Sequence, residues 1–108
     1  MDQIMDTIER YRQLAETILL KYAHRPSHGD IEPEMIISAD RNHFELMFVR
    51  WDGSVIHIDI INDKIWIQHD GTSPGVALEL VEAGVPRTDI VLGFRPAYVR
   101  QYTDYAVG

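Results

Sequence analysis

The sequence predicts an α+β domain with an N-terminal amphipathic helix, a four-stranded antiparallel meander, a second helix, and a short C-terminal strand and tail. Three observations carry this reading. Apolar residues fall at helical spacing over residues 2–24. Four runs rich in β-branched and aromatic residues follow between residues 34 and 68, separated by residue pairs suited to tight turns. A second helix is then bracketed by glycines and prolines. At 108 residues the chain is expected to be one domain spanning 1–108, large enough to bury on the order of two-thirds of its unfolded surface.

The first helix is read from Ile4, Ile8, Tyr11, Ala15, Ile18, Leu19 and Tyr22, which lie along one stripe. Asp2 is one candidate cap; Asp6 with Glu9 three residues on resembles a capping box. The string HRPSHGDIEP, with two prolines and no periodicity, reads as the linker to the sheet. His24 and His28 are four apart, but Pro26 between them opposes a helix, so they are expected as solvated loop histidines.

Strands are expected at EMIISAD, HFELMFVRW, VIHIDII and KIWIQ. Asn62-Asp63 suits a two-residue hairpin turn, which sets Ile61 opposite Lys64, Ile60 opposite Ile65, Asp59 opposite Trp66, Ile58 opposite Ile67 and His57 opposite Gln68. Ile56, Ile58, Ile60, Ile65 and Ile67 then share the core face, because side chains alternate along a strand. Asp52-Gly53 is an even stronger turn signal. A two-residue turn there sets Val49 opposite Ile56 and Met47 opposite Ile58, and it leaves Leu46 and Phe48 beside His57 and Asp59 on the second face. Either the C-terminal segment or a partner chain is expected to cover part of that face.

After the meander, Ser73 is the expected N-cap and Pro74 the first helical residue, with Val76, Ala77, Leu80 and Val81 inward and Gly84 as the stop. The loop has no lysine and no P-loop spacing, so capping is favoured over phosphate binding. DIVLGF reads as a short buried strand, and the end of the chain mixes Arg95, Arg100, Tyr98, Tyr102 and Tyr105. Arginine and tyrosine are enriched at interfaces.

Composition narrows the function. Without cysteine there is neither a disulfide nor a thiolate metal site, and a cytoplasmic setting is expected. No apolar run approaches the ~20 residues that span a bilayer, and the N-terminus does not resemble a signal peptide. Seventeen acidic against ten basic side chains give a net charge of −7, which disfavours unaided contact with nucleic acid.

His57, Asp59, Trp66 and Gln68 form a polar and aromatic patch on the second face that hairpin packing does not require. As a metal or acid/base group, His57, Asp59 and Asp70 want a second histidine, and as a nuclease site Asp59 with Lys64 wants another carboxylate. The sequence is therefore read as a non-enzyme without metal or cofactor. The patch is either a network that sets hairpin register or a surface for a protein partner. The expected partner-binding residues are His57, Asp59, Trp66, Gln68, Arg95, Arg100 and Tyr102, and a homodimer is a further expectation.

The string HIDIINDKIWIQHDGT, followed by ALELVEAGVPRTDIVLGFRP and YTDYAV, closely resembles the XisI family, the excision controlling factors associated with the cyanobacterial fdxN element. ERYRQLAETILLKYA and GDIEPEMI extend the resemblance across nearly the whole chain. Between Trp51 and the HIDI run the family usually carries several more residues than this chain does. The resemblance implies an accessory role in site-specific DNA rearrangement, in which a separate site-specific recombinase performs strand chemistry and an XisH-like protein is the companion. Two other readings stay open. One is an inhibitor or antitoxin-like module whose acidic surface mimics nucleic acid for a nuclease partner. The other is a direct DNA-binding accessory factor.

Overall fold

A computed structural model describes residues 3–24, 33–48, 54–72 and 75–108. Helix α1 (Gln3–Ala23) is followed by strands β1 (Pro33–Ile37), β2 (His43–Phe48), β3 (Ser54–Ile61) and β4 (Lys64–Asp70). Helix α2 (Val76–Glu82), a 3-10 turn at Arg87–Asp89, strand β5 (Ile90–Leu92) and the short helix α3 (Ala97–Arg100) complete the chain. The strands form one sheet in the order β1-β2-β3-β4-β5. The first four strands are antiparallel, as the meander requires, and β5 lies parallel to β4 because α2 carries the chain back across the sheet.

The β3–β4 hairpin turns at Asn62 and Asp63, with φ of 51° and 65°, the left-handed pair that matches strand twist. Its first pairs are those the sequence predicts, from Ile61↔Lys64 to Ile58↔Ile67. A bulge then intervenes between His57 and Ile58. His57 pairs with His69 rather than Gln68, and Ile56 with Asp70.

The β2–β3 register differs more. Phe44 pairs with Ile58 and Leu46 with Ile56, so the expected Met47–Ile58 pairing is displaced by three residues. The Asp52-Gly53 turn, Val49 and the Phe48 side chain lie outside the described residues. An odd displacement exchanges the two faces of a strand. Leu46, expected beside His57, is instead fully buried with Phe44, while His43 and Glu45 move to the second face. The cause is burial: the displaced register puts two large apolar side chains in the core, and the turn-derived one would have put a histidine and a carboxylate there.

Both longer helices pack on the core face. Tyr11, Ala15, Ile18, Leu19 and Tyr22 of α1 and Val76 and Leu80 of α2 join Phe44, Leu46, Ile56, Ile58, Ile60, Ile65 and Ile67 in one cluster. Polar contacts tie α1 to its neighbours. Tyr11 donates to Asp89 Oδ2 at 2.5 Å, Lys21 pairs with Glu79, and Arg41 in the β1–β2 turn reaches Glu9 at 2.7 Å. Ser73 and Pro74 lie outside the described residues, and it is Asp70 that caps α2, its Oδ2 accepting from Val76 N at 2.6 Å. Gly84, at φ 101°, ends the helix with Val85 N donating to Leu80 O. Among the described residues, no helix is long and apolar enough to cross a membrane.

Candidate functional site

The side of the sheet opposite the helices divides in two. Over β4 and β5 it is covered by the end of the chain. Ala106 pairs with Val91 beside β5, Arg100 lies 5.3 Å from the centre of the Trp66 ring, and Gly108 sits against the same ring. Arg100 also donates to the carbonyls of Val107 at 2.9 Å and Arg95 at 2.7 Å, so its guanidinium clasps the tail to the sheet. The C-terminal segment is thus one cover for this side, as the sequence allowed.

Over β1–β3 the same side carries a polar cluster. His43 and Glu45 come from β2, and His57 and Asp59 from β3, each pair two residues apart and so pointing the same way. His43 stands opposite Asp59 and Glu45 opposite His57. His43 Nδ1 lies 2.7 Å from Asp59 Oδ1 and its Nε2 3.3 Å from Glu45 Oε1. The two imidazoles meet edge to face, centroids 4.5 Å apart. From β4, Gln68 Nε2 donates to Asp59 Oδ2 at 3.2 Å. Gln68 is held close over Gly93, where a Cβ would fall 2.4 Å from its Oε1.

His57 Nε2 approaches Asp59 Oδ2 to 3.3 Å but without hydrogen-bond alignment, and it is shut off from solvent with no hydrogen-bond partner. Side-chain exposures of 35% for His43 and 20% for Asp59 place the cluster at a half-covered surface. Burial of the His43 ring works against its charge. The carboxylates of Asp59 and then Glu45 outweigh that cost and hold its pKa above the ordinary 6.5.

Of the residues singled out in sequence, His57, Asp59 and Gln68 come together here. Trp66 lies on the same side but under the tail. Arg95 rests on Phe94, 5.3 Å from its ring centre, and Tyr102 projects outward with 83% of its surface exposed. Asp70 does not join His57 and Asp59, since its two oxygens serve Thr72 and Val76. Lys64 sits at the hairpin end opposite Ile61. His24 hydrogen-bonds Leu20 O at the end of α1, and His28 lies outside the described residues.

His43 and Glu45 were missed, and with them the second histidine whose absence argued against a metal site. The signal was present as HFE in β2 and HID in β3, two His-x-acid runs on adjacent strands. The presumed Asp52-Gly53 turn set those runs on opposite faces.

The XisI family model, described as XisI protein, matches residues 5–107. The chain belongs to the XisI family. A solved XisI-like protein from Anabaena variabilis ATCC 29413 is 42% identical, with 94% of this chain and 99% of that chain covered and a TM-score of 0.84. The structure of the fdxN element excision controlling factor XisI from the same organism is 28% identical, with the same coverage and a TM-score of 0.80. No curated protein matches. Both solved XisI structures therefore share the overall fold of this chain.

Proposed function

We propose that this XisI-family chain is an accessory controlling factor for site-specific DNA excision, acting by binding a protein partner through the outer side of β1–β3. The partner would be an XisH-like protein or the recombinase itself. One observation carries the reading. Both longer helices lie on one side of the sheet, and among the described residues the other side keeps a half-exposed cluster in which His43, Glu45, Asp59 and Gln68 are hydrogen-bonded and His57 packs against His43. Ile36 beside Glu45 is 41% exposed, which gives the patch an apolar rim. The 28%-identical structure, named an excision controlling factor, supports the cellular role.

In this reading the chain performs no strand chemistry; it positions or restrains the protein that does. Co-expression with an XisH-like protein should give one peak on a sizing column. Asp59→Asn, which removes the charge that holds His43 and Gln68, should release the partner while the altered chain still elutes at its own position. Clean separation of the unaltered proteins at micromolar concentration would overturn the proposal. The net charge of −7 favours one refinement, restraint of a nuclease partner. Suppression of the partner's DNA cleavage on adding this chain would establish it.

A further inference from the structure

We propose that His43, His57 and Asp59 form a binding site for one divalent transition-metal ion of the zinc class. One nitrogen from each imidazole and one Asp59 oxygen lie within 4.8 Å of one another. Tetrahedral ligands on bonds of ~2.0 Å are about 3.3 Å apart. The 2.7 Å from His43 Nδ1 to Asp59 Oδ1 is already near that spacing, and His57 Nε2 lies 3.3 Å from the other oxygen of the same carboxylate. Rotation of the two partly exposed rings toward the carboxylate would bring the three donors, now within 4.8 Å, to that spacing.

Two details favour an ion over a self-contained hydrogen-bond network. A buried ring nitrogen without a partner is an exception in folded proteins, and His57 Nε2 is such an atom. In the neutral ring a lone pair there, 3.3 Å from Asp59 Oδ2 but out of hydrogen-bond alignment with it, would be satisfied by a cation beside the two. The second detail is the far side of His43. Metal-bound imidazoles usually present their other nitrogen to a carboxylate or carbonyl, which fixes the tautomer. His43 turns Nε2 to Glu45 and leaves Nδ1 beside Asp59. Glu45 is therefore the orienting carboxylate, and Gln68 steadies the remaining oxygen of Asp59.

The donor set selects the ion. Two imidazoles with one carboxylate suit zinc, cobalt, nickel or copper, whereas magnesium and calcium prefer all-oxygen shells. Three protein ligands leave at least one position open on the half-exposed side. The site is independent of the partner reading, because it is tested on the isolated chain.

Chelator-stripped protein titrated with zinc chloride in a calorimeter should take up one ion per chain. Titration with cobalt chloride should develop the visible absorption of an imidazole-bound ion. His57→Asn and His43→Gln should abolish that band. Glu45→Gln should weaken zinc binding by roughly 10–100-fold, as loss of an orienting partner does. The double change His24→Gln, His28→Gln should leave both readouts unaltered. Absence of saturable uptake by the unaltered chain would overturn the proposal whether or not the variants fold. So would uptake that survives His57→Asn or disappears with His24 and His28.

Discussion

The two sides of this sheet are made from the same five strands and differ in almost every physical respect. On one side Phe44, Leu46, Ile56, Ile58, Ile60, Ile65 and Ile67 are sealed beneath α1 and α2. On the other, the residues one position away are His43, Glu45, Asp59 and Gln68, joined by hydrogen bonds, with His57 packed against His43 and Trp66 under the tail. The period of two along a strand lets one backbone serve both purposes. Stability therefore resides on the helix side. The outer side can hold costly charged groups because the sheet beneath them is already rigid.

The largest expected effect tests the helix side. Ile58 is fully buried at the centre of the sheet, between Phe44 and Ile67, and Ile58→Ala should lower unfolding free energy by about 2–5 kcal/mol in urea denaturation. A loss well below that range would mean the two sides share stability more evenly than their burial implies.

A smaller effect is expected where a polar atom reaches the helix side. Burial first, and then the hydrogen bond to Asp89, raise the Tyr11 pKa from 10.0 to about 12. The folded state favours the neutral phenol, so its contribution is complete below pH 10 and declines as pH rises toward 12, where the unfolded chain releases its proton first. Stability should fall by on the order of 2 kcal/mol across that window. Tyr11→Phe should flatten that part of the profile, measured by chemical denaturation at a series of alkaline pH values.

The smallest concerns the covered half of the outer side. Arg100→Ala removes the guanidinium over Trp66 and two donors to tail carbonyls, at a cost of about 1 kcal/mol. Its clearer signature would be faster amide exchange at Ala106, whose N–H pairs with Ile90 O, and altered Trp66 fluorescence. Unchanged exchange there would show that the bridge to β5, and not Arg100, holds the tail.

Much of the outer site was legible as residues but not as an assembly. His57, Asp59 and Gln68 stood out because they interrupt a run of isoleucines, and the Asn62-Asp63 turn placed Asp59 correctly opposite Trp66, while a bulge moved His57 from Gln68 to His69. His43 and Glu45 were lost to a preference for a local turn signal over burial. HFELMF buries Phe44 and Leu46 cleanly only when His43 and Glu45 face outward, and that requirement overrode the Asp-Gly pair. Arg100 and Trp66, read as partner contacts, lie against each other in the folded chain.

By itself the sequence determined the α+β class, the helix stripes, the β3–β4 hairpin and the resemblance to the XisI family, since each depends on residues near one another in the chain or on shared wording. Only the tertiary structure decided the β2–β3 register, the capping of α2 by Asp70 and the closure of the tail over Trp66. The tail joins segments far apart in sequence, the register is set by burial across the whole sheet, and Asp70, six residues before Val76, caps α2 only because β4 ends beside the helix start.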